Sequence, residues 1–265
     1  MHKNGCVKVG NTDMYYVAFG EGEKNLVVLP GLSDGLWTVK GKAWLLAGSY
    51  KKFIKDYTVY MFSRKNDMPE GYSIEEMADD QALAMKNLGI DRAIVMGVSQ
   101  GGMVAQFLAA KYSELVEKLI LVVTAPFANE NIKAVVSKWI DMTTTSSHTE
   151  LMLDTAEKVY TQAFIEKNKN YLPVLARFTK PKNYDRFCKN AYAILDFDAR
   201  YVLTFIKCPT YIMAGDCDNV VGNDAPHQLH KLIADSELII FEGMGHGLFE
   251  EDKEFYNKVL EFCER

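Results

Sequence analysis

Ser99 is the residue of this sequence best placed to do chemistry. It stands in Gly97-Val98-Ser99-Gln100-Gly101-Gly102, between an apolar run and a stretch of helical pattern. A serine hydroxyl attacks only when a neighbouring base takes its proton, and an imidazole base needs an acid to fix its tautomer and stabilise its charged form. A Gly-x-Ser-x-Gly match arises by chance in roughly one chain in ten of this length, so context decides its meaning. On a tight strand-to-helix turn the serine is held in a strained backbone and exposed at the sheet edge. Gly97 and Gly101 let the two backbones meet, and the helix that follows points its N-terminus at a developing oxyanion. The plain alternative is a glycine-rich turn with a capping serine.

A base is offered by Gly243-Met244-Gly245-His246-Gly247-Leu248-Phe249, where glycines leave room around the imidazole. The other histidines are less apt: His2 is terminal, His148 lies in a helical stretch, and His227 and His230 share a surface helix. An acid is offered by Ala214-Gly215-Asp216-Cys217-Asp218-Asn219-Val220, in which Asp216 and Asp218 compete. Alone that segment reads as an Asp-rich turn. A carboxylate just past the C-terminal end of a strand, however, shares the sheet edge with the serine turn. Leu29-Pro30-Gly31-Leu32-Ser33-Asp34 follows another strand, and the loop there places the Leu32 amide as one oxyanion donor. The Gln100 amide, next after the serine, is the other.

These groups meet only if strands and helices alternate, and the pattern predicts that they do. Cys6–Val9 and Met14–Phe19 flank Gly10-Asn11 as a hairpin. Leu26–Leu29, Tyr57–Phe62, Ala93–Met96, Leu119–Val123, Thr210–Ala214 and Glu237–Phe241 read as strands. Ser73-Ile74-Glu75-Glu76 is a capping box opening a helix to about Asn87, with Met77, Leu83 and Met85 inward and Gly89 as its stop. Gln100–Tyr112, Pro226–Ile233 and Phe249–Cys263 are further helices. From Phe127 to Arg200 the strand pattern is absent, and Ile132–Met142, Thr149–Glu166, Tyr171–Phe178 and Asn183–Leu195 read as helices. The expected architecture is α/β, a mostly parallel sheet flanked by helices. Residues 1–126 and 201–265 form its core, and 127–200 a helical cap.

Thirty basic against 35 acidic residues leave a net charge of −5 in 265 residues, of which 48% are hydrophobic. That composition is globular, not disordered or fibrous, and it argues against a broad nucleic-acid face. Five cysteines at irregular spacing, with no Cys-x-x-Cys pair, read as reduced thiols in a cytoplasmic protein. No run has signal-peptide or membrane-spanning length, so the expected partner is a small molecule, with no membrane and no nucleic acid. The charge and composition do not give an oligomeric state.

The strand–turn–helix around Ser99 and the ordered Ser99, acid and His246 segments resemble the α/β-hydrolase superfamily over nearly the whole chain. Tyr72–Asp80, Leu88–Arg92 and Gly102–Gln106 are similar to the capped single-domain serine hydrolases: carboxylesterases, enol-lactonases, carbon–carbon hydrolases and cofactor-free haloperoxidase-like enzymes. The chain order is theirs, whereas trypsin-like and subtilisin-like enzymes use others. The resemblance implies Ser99 as nucleophile, His246 as base and Asp218, rather than Asp216, as acid, with no cofactor and no metal. The implied reaction is hydrolysis of a small or medium, mostly uncharged carboxylic ester or lactone through an acyl-enzyme.

Carbon–carbon cleavage or haloperoxidase-like chemistry on the same triad remains open, as does a non-catalytic ligand-binding protein on the same scaffold. Haloalkane dehalogenases and epoxide hydrolases are disfavoured, because they place aspartate at the elbow. Three positions depart from the family. Pro30 stands where many relatives have histidine. Ser63–Pro69 lacks a glycine-rich turn. Gln100 replaces a frequent methionine and is expected to make the pocket floor more polar. Trp37, Phe127, Trp139, Met142, Met152 and Leu248 are the candidates for an apolar substrate pocket, with burial as plain core between cap and sheet the alternative for each.

Overall fold

The computed structural model describes residues 1–265, apart from the side chains of Leu175 and Phe178. Its strands are β1 (His2–Val9), β2 (Thr12–Gly20), β3 (Lys24–Leu29), β4 (Tyr57–Lys65), β5 (Ala93–Val98), β6 (Val116–Val122), β7 (Thr210–Gly215) and β8 (Ser236–Phe241). They form one sheet in the order β1-β2-β4-β3-β5-β6-β7-β8. The β1–β2 hairpin turns at Gly10, whose φ of +57° suits glycine. β2 pairs antiparallel with β4, and the ladders from β4 through β8 are parallel.

The central strands are apolar throughout because both faces are covered. Along β3, Val27 and Leu29 enter one core with Val95 and Leu121. Leu26 and Val28 enter the other with Ile94 and Met96. Helices α1 (Ala43–Ala47), α2 (Ile74–Asn87), α3 (Gln100–Lys111), α9 (Asp224–Leu232), α10 (Leu248–Glu251) and α11 (Phe255–Glu264) connect or follow the strands. The Ser73 capping box is complete: Glu76 N–H donates to Ser73 Oγ at 3.2 Å and Ser73 N–H to Glu76 Oε2 at 2.8 Å. Such a cap stabilises a helix by about 1 kcal/mol. Met77 and Met85 are buried as expected, but Leu83 is exposed. It falls off the stripe formed by Ile74, Met77, Ala78, Gln81 and Met85.

Between β6 and β7 come α4 (Glu130–Thr145), α5 (His148–Val159), α6 (Gln162–Asn168), α7 (Leu172–Phe178) and α8 (Asp185–Leu195). The two ends of this stretch are zipped together: Ala128 N–H donates to Phe197 O and Ala199 N–H to Pro126 O. The single helix expected over Thr149–Glu166 breaks at Tyr160, because Thr161 accepts from Phe164 N–H and caps a new helix. The helix expected over Phe249–Cys263 is likewise divided, with the Asp252 carboxylate accepting from Glu254 N–H.

His148, at the start of α5, is buried, with Nδ1 2.9 Å from Tyr184 Oη and Nε2 3.3 Å from Thr179 Oγ1. Burial, reinforced by Lys180, holds its pKa below the ordinary 6.5. As pH falls, the unfolded chain therefore takes up this proton before the folded one. The stability contribution is complete above the unfolded pKa and is lost as pH drops below it. Thermal melts between about pH 7 and 5.5 are expected to show a steeper loss for wild type than for His148→Gln; equal slopes would count against this account.

Candidate active site

β5 runs into α3 with only Ser99 between them. Ser99 has φ +53° and ψ −118°, a conformation that costs a residue with a side chain about 1–3 kcal/mol. The surroundings impose it. Ser99 N–H donates to Val122 O at 2.8 Å, while Ser99 O accepts from Gly102 N–H and from Thr124 Oγ1, each at 2.8 Å. Val123, between these two partners, also has a positive φ, of +44°, and β-branched residues seldom adopt one. Side chains are excluded on both flanks: a methyl group at Gly97 would strike Gly101 O, and one at Gly101 would strike Leu29 O.

His246 Nε2 lies 2.9 Å from Ser99 Oγ, and its Nδ1 lies 2.8 Å from Asp218 Oδ2. The other Asp218 oxygen accepts from Val220 N–H at 2.8 Å and Val221 N–H at 3.0 Å. An ionised carboxylate only accepts, so Nδ1 carries the proton and Nε2 is left to accept from the serine hydroxyl. Asp218 and His246 are both buried. Asp216 does a different job: it accepts from Gly243 N–H at 2.7 Å and fastens the turn that leads to His246. Cys217 N–H donates to Met244 O, which joins the acid and histidine loops directly.

Leu32 opens a 3-10 turn over Leu32–Gly35, and Gln100 is the first residue of α3. The amides of such first residues have no partner within the helix. The adjoining Gly31 lies close enough that a Cβ there would sit 3.3 Å from Ser99 Cβ. Both elements therefore converge on the serine, and anionic oxygen is favoured at the start of a helix.

Ser99 and His246 open on a cavity of about 420 Å³. Trp37, Trp139 and Met152 line it together with Leu36, Val136 and Phe249. Three other candidates do not. Phe127 is at the base of the insertion, its ring covered by the Arg200 guanidinium at 4.2 Å. Met142 packs half-buried against the core. Leu248 turns into the opposite face of the sheet, leaving the next residue, Phe249, to face the cavity. Glu250 and Tyr160 also line the cavity, and Tyr160 Oη donates to Glu250 Oε2 at 2.7 Å. Gly247 N–H donates to Val159 O at 2.7 Å and Thr161 N–H to Glu251 Oε1 at 3.1 Å, so the α5–α6 junction is clamped to the His246 loop. Among the described residues no group of three or more His, Cys, Asp or Glu side chains is placed to hold a metal ion.

The sequence reading missed a charged network behind the two helical turns. The Gln100 side chain does not line the cavity. It is fully buried, donating to Asn190 O at 2.7 Å and facing Arg64 Nη2 at 3.4 Å. Arg64 is 0% exposed and donates to Pro30 O at 2.8 Å. Burial lowers its pKa from the usual arginine value, opposed by the Asp34 carboxylate. Asp34 accepts from Arg64 N–H at 2.9 Å and from Arg186 Nη2 at 2.8 Å. Arg186, on α8, also donates to the carbonyls of Asp34, Arg64 and Lys65. The only local sign was an arginine at the end of an apolar strand, at the place where the family's glycine-rich turn is lacking.

A family model described as the alpha/beta hydrolase fold matches residues 55–253. The AB hydrolase superfamily protein YisY of Bacillus subtilis is 30% identical over 208 residues, which are 74% of this chain and 75% of that one. The enol-lactonase of Burkholderia xenovorans superimposes with a TM-score of 0.83 at 21% identity, covering 98% of this chain and 100% of the other. An esterase of Exiguobacterium antarcticum gives 0.82 at 20% identity, covering 99% and 100%.

Arg186 reaches Asp34 from the inserted helices, and Asp34 is itself buried. Removing one partner of a buried pair leaves an uncompensated charge. Arg186→Ala is expected to lower unfolding stability by about 3 kcal/mol or more, read from urea denaturation; a change within about 0.5 kcal/mol, ordinary for surface positions, would show that the network carries little.

Proposed function

The chain belongs to the α/β hydrolase family, and from that premise we propose that it is a serine hydrolase of small or medium, mostly uncharged carboxylic esters or lactones. The observation that carries this reading is the unbroken hydrogen-bond path from Asp218 through His246 to Ser99 Oγ, ending at an apolar cavity. Ser99 attacks the carbonyl carbon while His246 takes its proton. The oxyanion is held by the Leu32 and Gln100 amides, and Asp218 remains ionised, stabilising the imidazolium. His246 then protonates the departing alcohol, leaving an acyl-Ser99 ester. Water, deprotonated by His246, releases the acid and restores the serine. No step calls for a metal or an organic cofactor.

The lining supports this substrate class. A cavity of about 420 Å³ suits a small organic molecule. Apart from His246, the ionisable groups in its lining are Tyr160 and Glu250. Burial pushes the Glu250 carboxyl above its ordinary range and it accepts from Tyr160 Oη. Among the described residues the lining holds no lysine or arginine to pair with an anionic substrate, which supports a neutral ester or lactone. The esterase and enol-lactonase named above are consistent with both options.

Ser99→Ala is expected to lower kcat for p-nitrophenyl acetate by about 10⁴-fold or more while leaving the fold intact. Wild-type rates from the variant would refute the assignment. Across p-nitrophenyl esters, kcat/KM is expected to peak at short or medium acyl chains; a steep rise toward long chains would point to a lipase instead.

A further inference from the structure

The stretch from Gly35 to Lys55 differs from the rest of the chain. It holds Lys40, Lys42, Lys51, Lys52 and Lys55 with no aspartate or glutamate, in a protein whose net charge is −5, and it contains two of the three tryptophans. α1 lies within it. Ala43 and Ala47 face inward, while Trp44 is 81% and Leu45 61% exposed. Trp37, 44% exposed, lines the cavity and so stands at its opening. Lys42 Nζ sits 3.5 Å from its ring centroid. Lys40 rests on Tyr15, and Lys51, Lys52 and Lys55 are exposed in the turns that follow α1.

We propose that this surface docks the protein on anionic lipid bilayers, with Trp44 and Leu45 entering the headgroup boundary and the exposed Lys40, Lys51, Lys52 and Lys55 meeting the lipid phosphates, while Lys42 stays folded over Trp37. Indole and leucyl side chains in water gain by entering such a boundary. Lysine stems lie along the apolar surface while their ammonium groups reach the charged layer. A second copy of this chain fits worse, because a two-fold contact sets the same lysines against themselves. The contact is peripheral: among the described residues no helix is long and apolar enough to cross a membrane. A peripheral contact needs no spanning run, so the absence of one in the sequence carries no sign of it. Docking stands on the surface alone; only the idea that a lipid-dissolved ester then enters past Trp37 rests on the hydrolase reading.

The test is co-sedimentation of the full chain with phosphatidylcholine vesicles, with and without about 30% phosphatidylglycerol, at low and at about 0.5 M salt, alongside tryptophan fluorescence. Binding to the anionic vesicles, weakened by salt and accompanied by a blue shift, is the expected result. Trp44→Ala with Leu45→Ala, and separately Lys51→Glu with Lys55→Glu, should each weaken it at least 5-fold. Neither pair of changes touches the site, so hydrolysis of a soluble ester should be unchanged in both, and a failure of the ester reading would leave the vesicle result standing. No binding to anionic vesicles, or binding indifferent to both pairs of changes, overturns the proposal. So does light scattering that shows a dimer dissolved by the α1 changes in a protein that ignores vesicles.

Discussion

Ser99 is held where the end of β5 meets the start of α3, and the site is arranged around that one strained backbone position. Its positive φ turns the chain within a single residue, so that α3 begins at Gln100, directly after the serine. The strain is tolerable because the position is over-determined: β6 binds the Ser99 amide, Thr124 and α3 bind its carbonyl, and glycines stand where side chains would collide. A cost of about 1–3 kcal/mol is small against the packing of fully buried strands on either side. His246 and Asp218 then need only arrive at the same edge, which parallel strands ending together provide.

The helices between β6 and β7 are tied to that edge at several places, among them Asn129 and Asn131, which donate to carbonyls of the acid loop. Arg186 on α8 reaches Asp34 and three backbone carbonyls beside the Leu32 turn. The α5–α6 junction bonds to the loop that follows His246. The buried Arg64 ties the Pro30 carbonyl to the Gln100 side chain, so the Leu32 turn and the start of α3 share a charged support. Electrostatic stabilisation of a transition state favours donors already in place, because they pay no reorganisation, and the proposed Leu32 and Gln100 donors stand in these two supported turns.

Much of this was legible in the sequence, for physical reasons. Strands buried on both faces are continuous apolar runs, so β3, β5 and β7 stand out. Ser73 with Glu76 marks a helix start by its own chemistry, and Gly97 with Gly101 marks a turn too tight for side chains. What escaped depends on direction or distance. A four-residue helix such as α10 has no readable phase, so Leu248 was expected in the pocket where Phe249 stands. Thr161 lies inside a stretch of helical pattern, and only the structure shows it capping a new helix. Arg64 looked like a departure from a turn motif because its partners Asp34, Gln100 and Arg186 are far away in sequence and are gathered only by the fold.

The central claim is that Ser99 becomes covalently acylated, and the mass of the protein tests it most directly. Wild type mixed with a slowly turning-over ester, quenched in acid within the first turnover and digested, should carry the acyl group on the peptide containing Ser99. An adduct elsewhere, or turnover of the ester with no acyl adduct at any quench time, would contradict the account.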